Sequence, residues 1–276
     1  MGYMDMLGRF FTNRQRTTHQ YHGKYQMKNN DKWRFKGHAE EAFWRWVSSW
    51  ARALRKPSDL DYDDNGFILP PLNTERHMVK AKEKPAGMLF NLPAVNFHEE
   101  RAERRRTIQE RCEMVAALVN DTGQPAVIWV NLNDEGDLVE QLIPDAVQVS
   151  GKDTDDSKED KFIGFGNGDI RVLITKPKIG AWGLNWQHCN HVVYFPTHSY
   201  EQYYQAVRRC WRFGQERPVN VDLVMTHGQI KIMENMARKE TAAGEMFTSL
   251  VGHMKQAQDI ERLFTYDKKV EVPQWL

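Results

Sequence analysis

Gln205-Ala206-Val207-Arg208-Arg209-Cys210-Trp211-Arg212-Phe213-Gly214-Gln215 is the stretch that decides how the rest of this chain is read. Arg209 and Arg212 stand three residues apart, which places them on one face if the segment is helical. Arginine keeps its charge at any physiological pH and grips phosphate oxygens through two parallel N–H donors. Two such groups beside a glycine turn suit a phosphate-facing task. Upstream, the run Arg171-Val172-Leu173-Ile174-Thr175 reads as an apolar strand, followed by Gly180-Ala181-Trp182-Gly183-Leu184-Asn185. Glycines at such a place let backbone N–H groups approach an anion closely.

Working outward, strand and helix patterns alternate after Pro125. Apolar runs at 126–130, 146–149, 170–175, 191–195 and 219–225 read as five strands. Helical patterns at 135–142, 155–165 and 200–211 separate them. This alternation predicts a parallel sheet covered by helices. Before it, residues 99–120 read as one long charged helix whose buried stripe is Ile108, Cys112, Val115, Ala116 and Val119. The Arg104-Arg105-Arg106 cluster on it reads as a solvated face. Ala39 to Leu54 reads as an aromatic-rich helix, with Phe43, Trp46, Val47, Trp50 and Leu54 recurring at helical spacing. Two further helices are expected at about 230–238 and 242–257.

The chain has 276 residues, 41% of them hydrophobic and 27% charged, as expected of a folded soluble protein. A net charge of +1 removes any argument for nucleic-acid binding from global charge, so a basic surface must be local. One local candidate is the first 38 residues, where Arg9, Arg14, Arg16, Lys24, Lys28, Lys32, Arg34 and Lys36 alternate with aromatic residues. A solvated loop pinned by those aromatics is the alternative. Three separated cysteines form no C-x-x-C pair, so neither a disulfide scaffold nor a cysteine-rich zinc site is supported. No segment reads as a membrane span or signal peptide.

Taken together, the two motifs resemble a known family. From about Pro125 to Thr226 the chain is similar to the second RecA-like lobe of superfamily-two helicases of the Swi/Snf type. Gly180, Gly183, Leu184 and Asn185 follow that family's motif V, with Ala181 in place of a second glycine. Gln205, Arg209, Arg212, Gly214 and Gln215 follow its motif VI. The resemblance implies an α/β fold, a RecA-like parallel sheet flanked by helices, with a mainly helical N-terminal extension and C-terminal helices. It implies three regions: a basic, aromatic, inter-lobe-like region at 1–98, the lobe itself at 99–228, and C-terminal helices with a tail at 229–276. It also implies catalytic arginine fingers at Arg209 and Arg212, and nucleotide-binding roles for Gly183, Asn185 and Gln205. DNA contacts are implied for Asn131, Gly151, Lys178, Gly180, Ala181 and Trp182. The family usually has glutamine where Asn131 stands.

Three other patterns invite chemical readings. Asp134-Glu135 looks like a magnesium-binding pair, but Asp134 also suits a helix N-cap, and no G-x-x-x-x-G-K-[ST] loop precedes it. His188-Cys189-Asn190-His191 is packed too tightly for usual zinc spacing and reads as a turn entering a strand. Gly164 to Gly168 reads as a helix C-cap and turn.

ATP hydrolysis of this type needs a P-loop lysine and an Asp-Glu pair to bind Mg2+ and orient water. The first 124 residues contain no P-loop. The expectation is therefore the C-terminal half of a split or truncated translocase, using ATP with Mg2+ held mainly by a first lobe supplied as another polypeptide. Its expected partner is double-stranded DNA, with no membrane, in a bacterial or phage-infected cytosol. The alternatives are a non-enzymatic DNA- or protein-binding module that keeps the lobe as scaffold, and an inactive fragment.

Overall fold

The computed structural model describes residues 2–13, 33–51, 53–82, 97–180 and 183–265. They belong to two compact units, Asn65–Ala242 and the pair of segments Met1–Asp64 and Ala243–Leu276.

The smaller unit contains α1 (Tyr3–Phe10), a two-stranded antiparallel ribbon of β1 (Phe11–Asn13) and β2 (Trp33–Phe35), and α2 (Glu40–Ser48). Aromatic rings make its core. Phe11 stacks on Phe35 at 4.5 Å, and Phe43 meets Phe10 edge-on at 5.4 Å. The α2 helix ends at Ser48, earlier than the apolar spacing out to Leu54 predicts. The Ser49 hydroxyl donates to the Trp46 carbonyl at 2.7 Å, competing with the helical ladder. Trp50 and Leu54 are consequently exposed. Residues 14–32 of the basic and aromatic run lie outside the described residues.

The larger unit is a six-stranded, all-parallel sheet. Its strands are β3 (Leu72–Val79), β4 (Ala126–Trp129), β5 (Ala146–Val149), β6 (Val172–Thr175), β7 (His191–Tyr194) and β8 (Val219–Thr226), in the spatial order β3-β8-β7-β4-β6-β5. The helices are α3 (Phe97–Arg106), α4 (Ile108–Thr122), α5 (Asn133–Leu142), α6 (Asp155–Asn167), α7 (Pro177–Gly180), α8 (Tyr200–Val207) and the start of α9 (Ile230–Thr265). This is the parallel sheet covered by helices that the alternation predicts, and the α/β architecture with C-terminal helices that the resemblance to a RecA-like lobe implies. Strand side chains alternate between two buried layers, as a period of two requires. Ile128, Ile174, Val193 and Val224 pack with Cys112, Val115 and Val119 of α4 and Val139 of α5. Val127, Leu173, Val192 and Leu223 pack on the other face with Phe165 of α6, Val207 of α8 and Met233 of α9.

Several local expectations change. A sixth strand, β3, pairs along its whole length with β8 at the sheet edge. The long helix at 99–120 is two helices, broken at Thr107, whose hydroxyl donates to the Glu103 carbonyl at 2.7 Å. The two C-terminal helices are one, α9, because nothing between residues 239 and 243 is a helix breaker, and a helical glycine such as Gly244 costs only about 1 kcal/mol. No helix among the described residues is long and apolar enough to cross a membrane.

Candidate phosphate-facing site

From the carboxyl end of β6 the chain makes the short helix α7 and then runs back to the start of β7. Gly180 is buried there, and an added Cβ would lie 3.0 Å from the Thr175 methyl and 3.3 Å from the Phe162 ring. Gly183 follows with φ +77°, a conformation that side-chain-bearing residues rarely adopt. Leu184 and Asn185 then meet the Arg209–Gln215 segment. The backbone joins them first: the Trp186 amide donates to the Arg209 carbonyl at 2.9 Å.

Helix α8 ends at Val207, so Arg209 and Arg212 sit in the turns after it rather than on its face. The amides of Arg209 and Cys210 bond three residues back, to Ala206 and Val207, which tightens the chain out of the α-helix. Gln215 fixes the far end. Its Nε2 donates to the carbonyls of Gln187 (2.9 Å), Cys189 (3.0 Å) and Cys210 (3.2 Å). Gly214, at φ +89°, makes the turn between.

This scaffold brings both guanidiniums to one acceptor, the Leu184 carbonyl. Arg209 Nη1 reaches it at 2.7 Å and Arg212 Nη1 at 3.4 Å. Arg209 is only 8% exposed; its Nε donates to the Gln205 carbonyl at 3.2 Å and its Nη2 to Gln205 Oε1 at 3.4 Å. Arg212 is half-buried and also donates to Asn185 Oδ1. Gln205, Asn185, Arg209 and Arg212 thus form one hydrogen-bonded group. Among the described residues neither arginine has a carboxylate within ion-pair distance. Burial, and then the like charge of Arg212, lower the pKa of Arg209. Arginine remains charged even so, and a buried cation without a counter-ion is costly by several kcal/mol.

Next to this group lies an exposed aromatic pair. Phe67 and Phe213 stack at 5.3 Å, although Phe213 is 62% and Phe67 53% exposed. The Trp211 indole N–H donates to the Pro70 carbonyl at 2.7 Å, holding the 67–71 segment against the arginine turn. Arg208 lies over the rings of Tyr204 (5.6 Å) and Trp211 (5.2 Å).

The remaining predicted contacts lie apart from this group. Gly151 is exposed just beyond β5, beside a cavity of about 120 Å³ lined also by Asn133, Ser150, Lys152 and Lys176. Lys152 and Lys176 escaped the sequence reading, although each follows a strand end closely. Lys178 is exposed on α7. Asn131 is half-buried, and its Nδ2 donates to the Phe195 carbonyl at 2.9 Å, bracing β4 to β7. Ala181 and Trp182 lie outside the described residues.

Glu135 is neither a metal ligand nor a solvated acid. It is fully buried, accepts the amides of Asn131 (2.8 Å) and Leu132 (2.9 Å), and pairs with Arg111 Nη1 at 2.8 Å. The residue preceding α5 is therefore Leu132, and Asp134 does not cap the helix. Arg111, also fully buried, lies 4.8 Å from the Phe195 ring and donates through Nη2 to the Arg104 carbonyl at 2.6 Å. The expected solvated face at 104–106 holds for Arg105 alone: Arg104 reaches the Pro196 carbonyl at 3.4 Å, and Arg106 pairs with Glu103.

Residues 109–214 match the family described as "Helicase conserved C-terminal domain". The chain is 26% identical over 188 residues to the putative ATP-dependent helicase/translocase YwqA of Bacillus subtilis, covering 63% of this chain and 20% of that protein. It is 25% identical over 171 residues to the DNA repair and recombination protein RAD54-like of Drosophila erecta, covering 57% and 21%. An uncharacterized ATP-dependent helicase, C23E6.02 of Schizosaccharomyces pombe, is 34% identical over 98 residues, covering 35% and 9%. Among solved structures, the C-terminal part of the Fun30 ATPase domain aligns with a TM-score of 0.40 and 19% identity, over 45% of this chain and 43% of that one. The chain thus spans between about a tenth and a fifth of the length of these curated relatives, and the matched residues 109–214 include β4 to β7 and the paired arginines.

Proposed function

We propose that this chain is the second lobe of a Swi/Snf-like ATP-dependent DNA translocase, completing an ATP site whose P-loop and Asp-Glu pair are supplied by a first lobe. The observation that carries this reading is the pair of guanidiniums that share the Leu184 carbonyl and have no carboxylate among the described residues. An internal salt bridge would have neutralised them; a polyphosphate held by a facing surface does the same job. Arg212, the more open of the two, is the finger that reaches the transferring phosphoryl group. Arg209 positions the glycine-loop carbonyl and Gln205 around it. The stacked Phe67 and Phe213 beside Arg212 support a face that another protein body covers.

The chemistry asked of this lobe is charge stabilisation. ATP arrives with Mg2+ bound by the first lobe, and no group in the arginine cluster is a metal ligand. A fixed arginine at the developing phosphoryl charge contributes roughly three to five orders of magnitude in rate. Opening and closing of the cleft between lobes then shifts the grip on duplex DNA. Lys178, Gly151 and the neighbouring Lys152 and Lys176 at the carboxyl ends of β5 and β6 are the proposed backbone contacts.

Adding the chain to a Swi/Snf-type first lobe and duplex DNA tests the proposal. DNA-stimulated ATP hydrolysis absent from either polypeptide alone is the expected result. Salt-sensitive DNA binding with no hydrolysis under any pairing returns the chain to the alternative, a binding module that keeps the lobe as scaffold.

A further inference from the structure

Asp222 is a buried carboxylate in the middle of β8, flanked in sequence by Val221 and Leu223, and the phosphate-facing chemistry makes no use of it. Burying a lone carboxylate costs several kcal/mol unless partners compensate. The register supplies those partners from both neighbouring strands. Glu75 of β3 stands opposite Asp222, His77 lies two residues further along the same face, and His191 of β7 lies opposite Asn220. All four side chains share the face that carries Val79, Val193 and Val224.

His77 Nε2 lies 2.8 Å from Asp222 Oδ1, and His191 Nε2 lies 2.7 Å from Oδ2. Ligand-type atoms of Glu75, His77 and Asp222 all fall within 4.8 Å of one another. Glu75 makes no hydrogen bond or ion pair among the described residues, so two carboxylates converge with only imidazoles between them. Exposure rises along the row, from His191 and Asp222, both buried, through half-buried His77 to exposed Glu75. The cluster is therefore open on one side. His191 is only 5% exposed, and its Nδ1 has no hydrogen-bond partner. Through Nε2, His191 holds the Asp222 carboxylate in a fixed orientation, as residues outside a metal's ligand set commonly do.

We propose that Glu75, His77 and Asp222 bind a divalent cation of the zinc type, with His191 as the positioning residue behind Asp222. One nitrogen and two oxygen donors suit zinc or cobalt, and a three-residue set leaves the fourth tetrahedral place to water. Bond lengths of about 2.0–2.2 Å put tetrahedral ligand atoms roughly 3.3–3.6 Å apart. The ligand-type atoms, now within 4.8 Å of one another, must draw together by up to about 1.5 Å to reach that geometry. The proton on His77 Nε2 is displaced to solvent or to Nδ1 on binding. The ion ties edge strand β3 to β8, a role independent of the ATP-site proposal.

The test uses the full chain stripped with a chelator, then titrated with Zn2+ by calorimetry and with Co2+ by visible absorption. One equivalent should bind and give a tetrahedral Co2+ spectrum, and Zn2+ should raise the thermal midpoint. Glu75→Gln alters an exposed side chain and keeps the fold. It should weaken that equivalent about tenfold or more, and H77Q should abolish it. Two results overturn the site: no Zn2+ uptake by the parent chain, or uptake that E75Q and H77Q leave unchanged. Either makes the cluster a hydrogen-bonded brace only.

Discussion

The two arginines of the phosphate-facing group divide their work by burial. Arg209 spends donors on the Leu184 carbonyl and on both Gln205 oxygens, so Arg209→Ala removes three hydrogen bonds to half-buried acceptors, the Leu184 carbonyl keeping the longer bond from Arg212. A stability loss of about 1–3 kcal/mol is expected, read as a lowered denaturation midpoint in urea. Arg212, half-exposed, should cost well under that when replaced. Cys112, Cys189 and Cys210 are all fully buried, and burial pushes the Cys112 thiol up to about 12. Native protein should therefore give almost no reaction with an aromatic disulfide reagent at pH 8, and three thiols after denaturation. Rapid labelling of a thiol in the native state would contradict this packing. At this scale the sequence was informative about residue type and silent about partners. The spacing of Arg209 and Arg212 pointed to phosphate, but nothing in it told which of the two faces outward. That division comes from the meeting with Leu184 and Asn185, more than twenty positions away. Glu135 was harder still, because its partner Arg111 lies in a helix whose charge pattern looks solvent-facing.

Elements were legible where one physical signal dominates. Strands β4, β6 and β7 are buried on both faces and read as unbroken apolar runs. Strand β3, Leu-Asn-Thr-Glu-Arg-His-Met-Val, lies at the sheet edge with most residues exposed, and its polar letters conceal it. Helix α8 ends before its arginines with no proline or glycine to announce it, because tertiary bonds from Trp186 and Gln215 claim the carbonyls there. The Thr226–Gln229 corner gives a test at this scale. A Cβ on Gly228 would fall 2.6 Å from Glu103 Cδ, and Glu103 accepts the Thr226 hydroxyl at 2.6 Å. Gly228→Ala should destabilise by about 1–3 kcal/mol, as overpacking against a buried group does. Gly244→Ala, facing open space in α9, should be neutral or stabilising by up to about 1 kcal/mol. Equal effects from the two would show that the Glu103 contact is unimportant. Arg111→Met, which strands Glu135, should cost about 3–5 kcal/mol by the same measurement.

For the molecule as a whole, a net charge of +1 means that the proposed grip on DNA must come from local lysines and arginines. Affinity for duplex DNA should fall linearly on logarithmic axes as salt rises, and Lys178→Ala should reduce that slope by about one unit. A slope unchanged by K178A would remove that residue from the backbone contacts. The central claim concerns the open guanidinium beside the exposed Phe67 and Phe213, and the most direct measurement is steady-state ATP hydrolysis by the two lobes together on duplex DNA. With R212A the account predicts a fall in kcat of about a thousandfold or more, while the urea midpoint of the isolated chain stays near that of the parent. Hydrolysis at the parent rate by a folded R212A chain would contradict it.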